Sequence, residues 1–199
     1  MIYMVEMDFP HPEREAEWHA WYLAHIRVLL TVPGFRASQR FKAIGLTLSP
    51  YLALHEVASA ALFDSPTYRA RGGPASTGEW RALQTNWHRN LLDGIEESPE
   101  VPAGAHLLLL RDAREAVLPE GTAVTWLSGV GLDRTIEECG LAVMGDPTPL
   151  LALADATHGS ASTVRSARRS ARLHEPADRS RVVYSSIASR IVRARSSRR

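Results

Sequence analysis

The chain has 199 residues, of which 45% are apolar and 23% charged, and its formal net charge is +1. That profile belongs to an ordinary globular protein long enough to bury a real core, and it excludes disordered and collagen-like classes. The single cysteine, Cys139, excludes an internal disulfide, and no apolar run nears the roughly 18 residues of a membrane span.

The first residues carry Glu6 and do not read as a signal peptide, so a cytoplasmic location is the expectation. Charge is uneven along the chain. Residues 160–199 hold eleven arginines against Glu175 and Asp178. Lys42 is the single lysine, and the arginine and alanine usage fits a GC-rich coding sequence of bacterial type.

Ile2–Met7 alternates apolar side chains and reads as a strand. Pro10 and Pro12 break it, and Pro12 with Glu13, Glu15 and Glu17 suits the start of a helix, where acidic side chains meet the positive dipole end. Residues 12–32 then carry Trp18, Trp21, Tyr22, His25 and Leu29 at steps of three and four, an apolar helix face widened by Leu23, Ile26 and Leu30. Pro33-Gly34 ends it. Phe35–Ile44 reads as a second strand with Arg36, Ser38, Arg40 and Lys42 on one side, and Tyr51–Val57 as a third, with Tyr51, Ala53, His55 and Val57 alternating against Leu52, Leu54 and Glu56. A short helix is expected over Ser59–Arg69, another helical piece over Gly78–His88, and a fourth strand over Arg89–Glu96.

Ser98–Gly104 reads as a linker, which divides the chain into units 1–97 and 105–192. In the second unit His106–Arg111, Val124–Val130, Gly140–Met144 and Val182–Ile187 are expected strands, and Leu150–Ala156 and Thr163–Leu173 expected helices. Asp112–Gly121 is too short to repeat the aromatic helix, so element order suggests a degenerate second copy of the first unit. Residues 193–199 read as a disordered basic tail.

The strand, the helix with Trp18, Trp21, Tyr22 and His25, the Pro33-Gly34-Phe35 end, the run Ser49-Pro50-Tyr51-Leu52-Ala53-Leu54-His55-Glu56-Val57 and the stretch Phe63-Asp64-Ser65-Pro66-x-Tyr68 resemble the dimeric α/β-barrel superfamily, nearest to its EthD-like proteins. The resemblance covers residues 1–97. It implies an α+β fold of two ferredoxin-like β-α-β-β-α-β units, whose open sheet faces close as a barrel around a lined cavity. It also implies a small hydrophobic ligand. Most relatives pair two chains to close the barrel, whereas a chain with two copies can close much of it within itself, and a homodimer is then an additional possibility through any exposed edge. Distant relatives include haem proteins, but no histidine here is marked out as a haem ligand, so no cofactor is expected.

Within that frame His25 lies on the aromatic helix face, as a proton shuttle or as a packing histidine. If Leu52 and Leu54 pack under the helices, then Tyr51 and His55 face the barrel interior with Arg40, and His55 acts as acid or base while Arg40 and Tyr51 hold an anionic oxygen. In the opposite register Glu56 faces the cavity and His55 the helices, because a one-residue slip reverses every side chain. Trp21 is the expected apolar wall. His88 reads as a surface or helix-end residue, with a pocket mouth as the other reading. No H-E-x-x-H, CxxC or other ligand spacing marks a metal site. The arginine-rich terminus, with Tyr184 its one aromatic, reads as a solvated tail rather than a nucleic-acid surface. Two functional readings stay open: an enzyme of proton transfer or cofactor-free oxygenation on a hydrophobic or aromatic substrate, and a non-catalytic ligand-binding or assembly module.

Overall fold

The computed structural model describes residues 1–45, 47–150 and 180–193. Eight antiparallel strands form one closed ring: β1 (Ile2–Asp8), β2 (Phe35–Ala43), β3 (Tyr51–Val57), β4 (Thr85–Asp93), β5 (His106–Arg111), β6 (Thr125–Leu132), β7 (Glu138–Met144) and β8 (Arg181–Val192). Their order around the ring is β1-β3-β2-β8-β5-β7-β6-β4. Cut at the β2–β8 and β6–β4 seams, the halves read 4-1-3-2 and 8-5-7-6, so each strand of the second half has the neighbours of its counterpart in the first. Closure leaves no unpaired sheet edge. Three helices pack outside the first half: α1 (Glu15–Leu29), α2 (Pro66–Arg71) and α3 (Trp80–Leu83). No helix among the described residues is long and apolar enough to cross a membrane.

The strand period of two divides the core into two layers. Inside the ring lie Ile2, Met4, Phe41, Leu52, Leu54, Leu92, Leu107, Leu109, Leu141 and Tyr184, all nearly or fully buried. An eight-stranded barrel is just wide enough for its own side chains to fill, and these do. Outside it, Tyr3, Val5, Phe35, Tyr51, Ala53 and Val57 pack against Trp18, Tyr22, Ile26 and Leu29 of α1. The connection Ser98–Gly104 is also a plug. Glu56 accepts hydrogen bonds from Ser98 N and Oγ at 3.0 Å each, Gln39 Nε2 donates to Val101 O at 3.0 Å, and Arg190 Nη2 donates to Glu56 Oε1 at 2.6 Å. Every one of these polar partners serves to hold the barrel end where β1 begins.

Several local expectations shift. The Ser59–Arg69 helix is split, because Ser65 is extended and its hydroxyl caps a new start by accepting from Tyr68 N at 3.1 Å, with Pro66 in the first turn. The helical piece over Gly78–His88 shrinks to α3, because Gln84 is extended and Asn86 takes φ 46°. Trp87 is therefore a strand residue, and β4 starts four residues earlier than expected. The final strand runs to Val192 instead of Ile187. Asp112–Val124 carries no helix. The expected helices at 150–156 and 163–173 lie outside the described residues, apart from Leu150, as does the tail beyond Arg193.

Candidate functional site

β3 takes the register in which His55 points away from the barrel interior. Leu52, Leu54 and Glu56 face inward, and Tyr51 and His55 lie under α1. Arg40, paired to Ala53, shares that outer face. The register that would have put His55, Tyr51 and Arg40 in the barrel interior is thus corrected, and the opposite one, with Glu56 inward and His55 toward the helices, is the one adopted. In this register Leu52 and Leu54 join the filling of the ring, and Glu56 faces inward to hold Ser98 and Arg190. All five residues singled out from the sequence still meet in one layer, between α1 and the outer face of β1, β3 and β2.

His55 is 1% exposed and stacks on Tyr3, ring centroids 5.3 Å apart. Its Nδ1 has no hydrogen-bond partner. His25, from the flank of α1, stacks on Trp21 at 5.2 Å. Both imidazoles, with Trp21, Tyr3, Tyr22 and Tyr68, line a single pocket whose free volume is about 30 Å³, room for a water or two. Burial disfavours the charged form of each ring. It lowers His25 to about 4 and, with the neighbouring His25 and Arg40 charges, His55 to about 3. Burial likewise raises the Tyr22 phenol to about 12. At neutral pH the pocket therefore holds two uncharged imidazoles among protonated phenols.

Beside it sits a polar cluster. Glu15 Oε1 accepts from Tyr51 OH at 2.6 Å and from Lys42 Nζ at 2.7 Å. Those bonds, the Lys42 one first, hold the Glu15 carboxyl down to about 2. Arg40 Nη1 lies 3.2 Å from His19 Nδ1. Since a guanidinium can only donate, Nδ1 accepts, the proton sits on Nε2, and Nε2 donates to Glu15 at 3.2 Å. Arg40 is 2% exposed, its guanidinium lies over the Tyr22 ring at 3.9 Å and near Trp18 at 4.8 Å, and no carboxylate touches it among the described residues. Its Nη2 is unpartnered, as are the buried Trp18 Nε1 and Ser38 Oγ on the same face. Burial lowers Arg40 to about 10, so it remains a cation at neutral pH.

Sequence reasoning missed Tyr3, Tyr68 and Trp87 as pocket walls, and Glu15 and His19 as the partners of Tyr51 and Arg40. The i, i+4 spacing of Glu15 and His19 was the available signal. No group of three or more metal-ligating side chains occurs among the described residues.

No family model matches the chain, and no curated protein matches it. A solved crystal structure of an anthrone oxidase-like protein is similar, with TM-score 0.54 and 12% identity, over 96% of this chain and 92% of that one. At that identity the likeness carries the barrel and nothing of the chemistry.

Proposed function

We propose that the chain is a small-molecule enzyme whose substrate enters the layer under α1. There His55, with His25 beside it, takes a proton from a hydrophobic aromatic or enolisable molecule, and Arg40 faces the anionic oxygen that results. The observation that carries this reading is a buried guanidinium that no carboxylate touches among the described residues, beside two imidazoles kept uncharged in an aromatic pocket. A neutral imidazole can accept a proton, and a fixed cation stabilises the enolate or phenolate left behind. The new imidazolium and oxyanion also stabilise each other, which offsets the burial that holds His55 near 3. Reprotonated at another atom, such an anion is isomerised. Reacting directly with dioxygen, it is oxygenated without a cofactor.

The free volume of about 30 Å³ is too small for an aromatic ring. Substrate entry therefore requires the pocket lining to move apart. The repeated strand order supports the further reading that residues 1–97 and 105–192 are two ferredoxin-like units of the dimeric α/β-barrel superfamily, EthD-like in the first. Pairing of two chains is not needed to close this barrel.

The closed pocket favours the second reading, a non-catalytic ligand-binding or assembly module. A thermal-shift screen with phenolic and β-keto compounds, followed by deuterium exchange at the acidic C–H of anthrone read by NMR, separates the two. The enzyme reading expects a ligand-dependent rise in melting temperature and an exchange rate that falls about 100-fold in His55→Gln. Binding with an exchange rate equal in wild type and His55→Gln leaves the module.

A further inference from the structure

The opposite end of the barrel, where β1 finishes, holds a second cavity that the chemistry under α1 does not use. Its free volume is about 330 Å³, at the lower end of the range for small-molecule sites, about 300–1,000 Å³. Its floor is Glu6, 1% exposed inside the ring, joined to Arg111 from the end of β5 by two contacts, one of them Nη1 to Oε2 at 2.7 Å. Ser49, His88, Asp112 and Thr135 rise around it, and Leu48 and Ile136 supply apolar wall. His88, expected at a helix end, stands on β4 in register with Glu6.

The rim is held in place. Asn86 Nδ2 donates to Leu48 O at 2.9 Å, and Ser49 Oγ donates back to Asn86 O at 2.9 Å. Asn90 and Thr135 exchange two bonds of 2.8 Å. Asp112 Oδ1 accepts from the backbone N–H groups of Glu137 and Glu138 at 2.9 and 2.7 Å. Among the described residues four non-glycines have left-handed backbone: Asn86 (φ 46°), Asp112 (47°), Leu132 (64°) and Arg134 (46°). All four stand on this rim or in the turns that carry it. Such conformations cost energy and persist where the surroundings enforce them, which is common at binding sites. A buried ion pair is a similar expense that closing a barrel does not require.

We propose that this mouth is a binding site for a small, uncharged, hydroxyl-rich molecule of monosaccharide or cyclitol size. The class follows from the lining. Arg111 is compensated by Glu6, and Asp112, whose Oδ1 accepts two backbone donors, is the carboxylate placed to accept from a ligand hydroxyl. The other polar lining includes the hydroxyls of Thr47, Ser49 and Thr135 and the His88 ring. Ser49 already donates to Asn86 O and can accept, and Thr135 already accepts from Asn90 and can donate, so the set offers both to a polyol.

The test is an NMR titration of the full chain with glucose and myo-inositol, with acetate and methylamine as charged probes. The site expects saturable shifts of the Ser49, His88 and Thr135 amides with a polyol. It also expects affinity about tenfold weaker in Thr135→Val, restored in Thr135→Ser, as for one lost hydrogen bond. His55→Gln, on the other side of the sheet, leaves polyol affinity unchanged, so this site and the layer under α1 stand or fall separately. Saturation by acetate or methylamine instead of a polyol, shifts confined to residues under α1, or no saturable shift overturns it.

Discussion

His25 and His55 give the layer under α1 a pH signature. Folded, they stay uncharged down to about 4 and about 3, whereas a histidine in the unfolded chain takes a proton near 6.5. The unfolded state thus binds more protons below 6.5, and stability falls as pH drops through that window, by up to about 1.4 kcal/mol per pH unit for each ring. Urea denaturation at pH 7 and pH 5 is expected to show the loss, and His25→Gln with His55→Gln to remove most of it. An unchanged slope in the double variant would mean that other groups set it. Arg40 carries the opposite trade. Replacing a buried charge by an apolar side chain of similar length is often neutral or stabilising. Arg40→Met is therefore expected to melt no lower than wild type, or about 1 kcal/mol more stable, while losing phenolic ligands in the thermal-shift screen. A clear drop in melting temperature would show that stacking on Tyr22 and Trp18 outweighs the desolvation of the charge.

At the scale of elements, the strands and α1 were legible because their periods are strong, although α1 runs from Glu15 to Leu29 and so ends about one turn before Pro33-Gly34. Gly34 has φ 102°, and a Cβ there would lie 2.5 Å from Leu62 Cδ1. Gly34→Ala is expected to cost about 1–3 kcal/mol of unfolding free energy, against little change for Gly45→Ala, where nothing lies within 4 Å. Equal denaturation midpoints for the two variants would remove this account of the turn. What could not be read was which side of β3 faces in. All seven of its residues are buried, with a polar side chain on each face, His55 outside and Glu56 inside. Alternation fixes the two sets but not their direction when neither set meets water. The Trp80, Leu83 and Trp87 spacing misled for a related reason. Steps of three and four mark a helix only while the backbone stays helical, and Asn86 breaks it.

For the whole molecule, the ring explains why the five residues picked from the sequence lie together although they lie outside the barrel and not within it. The five residues picked from the sequence do share one layer, because alternation kept Arg40, Tyr51 and His55 on one face and α1 brought His25 and Trp21 to that face. The mouth cavity was not legible at all, since Glu6, Ser49, His88, Arg111 and Thr135 come from five separate parts of the chain and meet only when the barrel closes. That closure depends on β8, which lies between β2 and β5. It is the last of the eight strands to leave the ribosome, so for most of synthesis the β2 edge waits open, as does that of β5 once made. Until β8 is made, both edges are open templates for pairing with another chain, and slower elongation between β7 and β8 lengthens that exposure.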